Sequence, residues 1–406
     1  MSTLEALTVD LTDTATFVDG PPHGFFAELR RSAPVWRHPA TSRHPGFWVV
    51  SRYDDVHAVL LQPSTFINAR GITIDPNEPA GLSGDEPERG QGALSYTDPP
   101  DHRPLRHLLS RHFTPGRMRA LAPLVETHAR RLVRRLADAG GGDFIAQVAD
   151  PYPLRVLAAV LELPSETEAA LKRFVQTTGT DEHKAAVTVD FLAAADELAQ
   201  ARARKPGDDL ISAMVAGGGE GAALAAERFG GILVQLAIAG NETTRAASGH
   251  GVRLLAQHPE QMALVAADPA SAVPAMVEEV LRLRPPVHYT RRTVSAATEE
   301  APVLGSGADA LLVEPGDVVY LSIASANRDE RFVDDADLFD VARTPAPSHL
   351  SLGVGEHYCL GAALARLELR SLFAAVAEEM PWLHAAGGES TPSTMFDSLA
   401  SLPVWR

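Results

Sequence analysis

The chain has 406 residues, 45% hydrophobic and 22% charged, with a formal net charge of −16. That balance describes a globular protein large enough to bury a sizeable core, and the acidic excess excludes a non-specific nucleic-acid binder. The apolar runs break well short of the roughly 18 residues a membrane span needs, and residues 1–20 lack a basic-then-apolar leader, so a cytoplasmic protein without a membrane anchor is expected.

In chain order, residues 34–37 and 47–51, rich in Val, Trp and Phe, read as strands. Residues 68–98 are irregular and rich in Gly, Pro and Asp, and loops of that length are usually functional. Helical patterning then dominates from about residue 104 to 284, with 140–142 and 217–221 as glycine turns between helices. Within it, residues 222–257 carry no proline and read as one helix, closed by Pro259. Its ~36 residues span ~50 Å, enough to cross the molecule. Residues 274–283 form a helix with Pro274 at its start and Pro285-Pro286 beyond its end. A strand-rich stretch covers residues 287–323, with an exposed Gly- and Ala-rich loop at about 300–310. A helix over residues 360–379 and a strand-like tail finish the chain. The expected fold is mainly α with a smaller β region: one domain over 1–406, β-rich at about 30–60 and 287–325, helical at about 104–284 and 360–379.

Cys359 is the only cysteine, so it forms no internal disulfide and no multi-thiolate zinc site. A free cysteine is commonly just a small buried residue. This one lies in Ser351-Leu352-Gly353-Val354-Gly355-Glu356-His357-Tyr358-Cys359-Leu360-Gly361, where the glycines let the backbone approach a large flat partner. The pattern Gly-x-Gly-x-His-x-Cys-x-Gly resembles the haem-binding loop of the cytochrome P450 family of haem-thiolate monooxygenases, in which the thiolate is the axial iron ligand. Leu352 stands where the family usually has Phe, and keeps an apolar shield. The resemblance implies the cytochrome P450 fold, with a long central helix over a buried haem b. It makes Cys359 the metal ligand and places Leu352, Gly353, His357 and Gly361 in the cofactor loop.

The central helix contains Ala239-Gly240-Asn241-Glu242-Thr243-Thr244. A glycine and an acid in an apolar helix are unfavourable, so something must offset them. The block is similar to the family's oxygen-activation motif. That implies that Ala239 and Gly240 let the helix pass over the haem, that Thr243 hydrogen-bonds the activated oxygen, and that Glu242 relays protons from solvent. The alternative is a helix kink with a back-bonded threonine. Asn241 often has His in its place in relatives and receives no role. Gln235, Ala239 and Thr243 are four apart and share a face. Gln235 is polar in an apolar run, which marks it as a substrate hydrogen-bond partner. A buried glutamine satisfied by neighbouring backbone fits the sequence equally.

Glu279 and Arg282, three apart on a helix, face one another. In the family the matching pair is buried on the thiolate side and joined by a later arginine, here Arg343, a clamp for folding and haem retention. The haem carboxylates need cations. Asp98-Pro99-Pro100-Asp101-His102-Arg103-Pro104-Leu105-Arg106 resembles the start of the family's C helix, so His102 and Arg106 are implied partners. Arg292 is a third and His357 a fourth, with strand alternation choosing Arg292 over Arg291.

These blocks imply an enzyme that uses O₂ and two electrons to hydroxylate or epoxidise a small organic substrate. The chain shows no flavin or dinucleotide motif, so electrons are expected from NAD(P)H through a ferredoxin reductase and a ferredoxin. Residues 102–119 hold five arginines and no acid, a basic patch for an acidic ferredoxin. The resemblance places the substrate among residues 68–95, the face of Gln235, Ala239 and Thr243, Val287, His288 and Phe396. The polar Gln235 and His288 favour a molecule with hydrogen-bonding groups, from natural-product (antibiotic) metabolism, with a carrier-bound amino acid as one form. A sterol or fatty-acid hydroxylase is the alternative. A non-catalytic haem-thiolate sensor and a peroxide-driven enzyme are rivals that the Glu242-Thr243 pair disfavours.

Overall fold

The structure, a computed structural model, describes residues 9–74, 93–177, 180–217, 226–343 and 348–406. Most of the long irregular stretch expected at 68–98 lies outside the described residues. The N-terminal part runs α1 (His23–Ser32), β1 (Val35–His38), β2 (Phe47–Val50), α2 (Tyr53–Leu60) and β3 (Phe66–Ile67). The helical part holds α3 (His102–Ser110), α4 (Pro115–Asp138), the short β4 (Gly141–Asp143), α5 (Pro151–Val160), α6 (Ser165–Val175), α7 (Asp181–Arg204) and α8 (Leu210–Ala216). It continues with α9 (Ala226–Gln257), α10 (Pro259–Ala267) and α11 (Pro269–Leu283). Next come β5 (Tyr289–Val294), β6 (Val303–Leu304), β7 (Leu311–Leu312), β8 (Val318–Ser322) and α12 (Ile323–Ala326). The chain closes with α13 (Ala362–Glu379), β9 (His384–Ala385), β10 (Glu389–Thr391), β11 (Ser398–Ser401) and β12 (Pro403–Trp405).

The main sheet has the order β1-β2-β8-β5-β3. Only the β2–β8 pair is parallel, so two segments about 270 residues apart in sequence are joined by ladder bonds that no local turn could specify. The two helix ends flanking α10 are set by proline at the first turn, as Pro259 and Pro269 show. α9 lies between two cores. Its first half gives Phe229, Ile232, Leu233 and Ala237 to a cluster with α5–α8. Its second half gives Ala247, Val252, Leu254 and Leu255 to a cluster with α4, α10, α11 and α13.

Two sequence expectations change and a third is refined. α11 begins at Pro269 rather than Pro274, because Asp268 caps it by accepting from the Ser271 N–H at 3.3 Å. Residues 141–143 form β4 rather than a turn, antiparallel to β12. A Cβ on Gly141 would lie 2.2 Å from the Val404 carbonyl oxygen, so glycine here serves close strand approach. The loop expected to be exposed at about 300–310 is largely so, and it forms the tip of a short β6–β7 hairpin in which Leu304 is buried and Asp309 pairs with Arg52 at 2.7 Å.

The clamp is fully formed. Arg282 donates through Nε and Nη2 to both Glu279 oxygens, at 2.8 and 2.7 Å. Nη1 donates to the carbonyls of Asn327 and Ala336, and Nη2 to that of Leu338. All five guanidinium N–H groups therefore have acceptors. Arg343 reaches Glu279 through Nε at 3.2 Å. Asn327 in turn accepts from the Leu350 N–H and donates to the Ser351 hydroxyl, both at 2.8 Å, at the start of the cysteine loop. Removing one member of a buried ion pair costs about 3–5 kcal/mol, because the other charge is left uncompensated. Arg282→Ala is expected to lower unfolding stability by about that amount, read as a drop in the denaturant midpoint of the holoprotein.

Candidate active site

One cavity of about 280 Å³ gathers residues from across the chain. It is lined by His102 and Arg106 of α3, by Gln235, Ala239, Gly240 and Thr243 of α9, by Arg292 of β5, and by His357, Cys359 and Gly361. Within the cysteine loop, the Cys359 N–H donates to the Leu352 carbonyl at 2.8 Å and the Gly353 N–H to the Leu350 carbonyl at 2.9 Å. Gly353 and Gly355 both have φ of +68°, a conformation that any side chain would strain. The loop delivers the thiol just ahead of α13, where backbone N–H groups point outward. Burial pushes the Cys359 thiol up, while the Gly361 N–H and the Arg106 and Arg366 guanidiniums oppose the shift. Those are the groups that hold a thiolate once a cation binds it.

The wall beside the thiol is basic. His102 is fully buried, its Nδ1 lies 3.3 Å from Glu356, and its ring stands 4.4 Å from that of His357. The Nε2 atoms of both histidines are buried without a partner. Burial, then the charges of Arg292, His102 and Arg106, bring His357 down to about 3. Burial lowers Arg292 to about 10, with only Asp98 opposing. Depressed bases and orphaned ring nitrogens mark a site that lacks a negative partner. A buried thiol and four basic side chains lining one cavity fit a haem, whose carboxylates His102, Arg106, Arg292 and His357 would hold.

On α9, the Thr243 hydroxyl donates to the Ala239 carbonyl at 2.6 Å, and the helix runs unbroken through both. The back-bond of the alternative reading is present, and the helix continues through it. With its hydrogen engaged, Thr243 turns oxygen lone pairs to the cavity. Glu242 does not line the cavity. It accepts from Ser398 Oγ at 2.8 Å and from Arg245 at 3.3 Å, and Arg245 also holds Asp150. These bonds are what offsets an acid in this helix. Gln235 is bonded to Ser95, donating to its hydroxyl and facing its N–H at 3.5 Å.

The family model for Cytochrome P450 matches residues 170–402. A steroid C26-monooxygenase of Rhodococcus jostii is 33% identical, over 93% of this chain and 80% of its own length. The chain belongs to the cytochrome P450 family. A methyl-branched lipid omega-hydroxylase of Mycobacterium bovis is 34% identical, over 88% of this chain and 84% of that one. The solved structure of a cytochrome P450 from Chondromyces apiculatus aligns with a TM-score of 0.84 at 32% identity, covering 98% of this chain and 97% of that one. The mainly helical architecture is thus the cytochrome P450 fold, and the protein is a monooxygenase of a haem family whose members draw electrons from redox partners.

Within this cytochrome P450, several sequence expectations meet a different placement. Val287, His288 and Phe396 are not among the cavity-lining residues. Val287 and Phe396 pair with each other in an isolated bridge. The His288 ring is fully buried against Phe17 at 5.0 Å, and burial brings it to about 4 despite Asp397. Leu352 and Gly353 shape the loop from behind, Leu352 packing on the main core. Of Arg291 and Arg292, Arg292 lines the cavity, while Arg291 turns to the Thr73 carbonyl.

Asn68 and Ser95, the two ends of the segment expected to line the pocket, are on the cavity wall, whereas sequence reading passed over Thr290 and Glu368, which are there too. Glu368 is fully buried on α13 and burial pushes its carboxyl well up, with Thr244 Oγ1 at 3.5 Å. Its signal was available, since it is an acid on the face that holds Leu364, Leu369 and Leu372. A charge-assisted hydrogen bond is worth about 1.5–3 kcal/mol. Arg292→Leu is therefore expected to weaken haem retention by about tenfold or more, followed as transfer of haem to apomyoglobin. Cys359→Ser is expected to abolish the thiolate-type band of the reduced carbon monoxide complex while the far-ultraviolet circular dichroism stays unchanged.

Proposed function

We propose that this cytochrome P450 hydroxylates an apolar lipid of steroid or branched-chain type, with electrons from NAD(P)H delivered by a reductase and an acidic ferredoxin. The observation that carries the substrate class is the cavity wall away from the cofactor groups, where Ile72, Leu94, Ile232 and Leu236 present hydrocarbon. Two of the relatives are named for steroid C26 and for the omega position of methyl-branched lipids. Both lines of support favour lipid oxidation over natural-product tailoring or a carrier-bound amino acid. Part of the argument for the latter rested on His288, which stands off the cavity.

Haem held at Cys359 would supply the activation of O₂, the net reaction placing one oxygen atom in a substrate C–H bond and the other in water at the cost of two protons and two electrons. The chain's own residues do the rest. His102, Arg106, Arg292 and His357 hold the cofactor's carboxylates. Thr243 offers its hydroxyl oxygen to the cavity and orders the proton donor beside it. Glu242, half-exposed and held by Ser398 and Arg245, collects protons at the rim and passes them inward by leaving those partners. The hydrocarbon wall excludes bulk water, which would divert protons and oxygen to unproductive release.

The partner surface is narrower than the arginine count implies. Arg106 turns into the cavity and Arg117 pairs with Asp208. Arg103, Arg111 and Arg119 have no ion pair among the described residues, and Arg111 lies 2.9 Å from His107. These three form the cationic edge that would steer an acidic ferredoxin.

Three results are expected. In the purified ferric enzyme, a 3-keto steroid or a methyl-branched lipid shifts the Soret band to the blue with saturation, and carrier-bound aminoacyl groups do not. Thr243→Ala keeps NAD(P)H consumption but releases peroxide in place of product, measured as the ratio of the two; tight coupling in that variant would assign proton control elsewhere. Arg111→Glu slows reduction by ferredoxin and flattens its dependence on salt, followed by stopped flow.

A further inference from the structure

The cavity's hydrogen-bonding groups divide into two sets. His102, Arg106, Arg292 and His357 are basic and face the cofactor's carboxylates. Besides Gln235, the lining offers the neutral Asn68, Ser95 and Thr290, while its acid, Glu368, lies beside Thr244 and is pushed toward the neutral form by burial. Thr290 stands with the basic set, since its hydroxyl accepts from Arg292 Nη1 at 2.8 Å. Gln235 and Ser95 bond each other across the gap between α9 and the turn over Leu94–Tyr96. That turn is anchored independently, because Asn68 Nδ2 donates to the Ser95 carbonyl at 2.8 Å.

The pair has capacity left over. A glutamine amide offers two N–H donors and two acceptor sites, and a serine hydroxyl one donor and two acceptors. One Gln235 N–H is spent on the Ser95 hydroxyl, and the Gln235 oxygen meets only the Ser95 N–H at a long 3.5 Å. A second amide N–H, the serine O–H and an amide lone pair remain. A ligand hydroxyl, donor and acceptor at once, or a ligand carbonyl can join without breaking the pair. A carboxylate can be hydrogen-bonded there but not neutralised, and a desolvated charge without a counter-charge is costly. Gln235 lies two turns before Thr243, ~12 Å along the helix, and the hydrocarbon of Ile232 and Leu236 flanks it.

We propose that Gln235 and Ser95 form a polar anchor that selects an uncharged lipid carrying a hydroxyl or carbonyl group over one ending in a carboxylate. This rests on the lipid-hydroxylase reading and narrows it. The anchor holds the oxygen function remote from the reacting carbon, so the oxidised position is set by how far hydrocarbon reaches from the anchored group.

The test uses the purified holoenzyme and spin-state titration with a matched series: a long-chain alcohol, the methyl ketone, the alkane and the carboxylic acid of equal length. The alcohol and ketone are expected to bind about three- to tenfold tighter than the alkane, the range of one neutral hydrogen bond, and the acid more weakly than the alcohol. Gln235→Leu and Ser95→Ala should each erase the advantage of the alcohol and leave the alkane unchanged, and the double variant should add nothing further. An acid that binds as tightly as the alcohol overturns the anchor. So does a Gln235→Leu enzyme that loses affinity equally for alcohol and alkane, or for neither. If the haem binds imidazole normally but no member of the series shifts the spectrum, the lipid reading fails and the anchor fails with it. A series that binds without discrimination defeats the anchor alone.

Discussion

The five donors of Arg282 hold the proximal half of this molecule together. A guanidinium with almost no solvent contact is tolerable only when every N–H is accepted and the charge is matched. Here Glu279 supplies the charge and three carbonyls from residues 327–338 supply the rest. The same residue, Asn327, grips the start of the cysteine loop through Leu350 and Ser351. Ser351 also donates to the Leu281 carbonyl at 2.6 Å, on the turn of α11 that carries Arg282. A polar network beneath the cysteine loop therefore fixes where the loop starts, and Leu352 and Val354 pack it against two hydrophobic cores.

The cavity above is a second unbalanced site, resolved differently. Its bases are buried and pushed toward neutrality, with two histidine nitrogens left unpaired. In the clamp the chain provides its own anion. In the cavity the lining's acid, Glu368, is pushed toward its neutral form by burial, and the carboxylates of a bound haem would supply the anion. The charge imbalance therefore stores the specificity of cofactor binding, since a ligand without carboxylates would leave the basic wall unsatisfied. The remaining surface is neutral and mostly hydrocarbon, so affinity for substrate rests on apolar burial and orientation on very few polar contacts.

Legibility differed by the kind of signal. β1, β2 and the ends of α9 and α13 agree with the sequence to within a few residues, because period and proline are local properties. Cys359, His102, Arg106, Arg292 and His357 are legible as motif residues and converge on one cavity. Glu242 is legible as an acid beside Thr243, but its direction is not, since adjacent helix positions point about 100° apart and Ser398 lies 156 residues away. His288 reads as a polar wall residue, yet the space between Phe17 and Asp397 takes its ring. Gly141 reads as a turn until β12 is seen beside it.

What the sequence by itself determined is the inventory: one thiol in a glycine-bounded loop, a helix long enough to cross the molecule, and an adjacent acid and threonine within that helix. Local spacing suffices for these because each depends on residues within a few positions of one another. What only the tertiary structure decided is which side chains share a space. The pairing of Gln235 with Ser95, the withdrawal of Glu242 to Ser398, the burial of Glu368 and the exclusion of His288 each involve partners distant in the chain. Such contacts depend on how two cores meet along α9, and no periodicity in a single segment encodes that meeting.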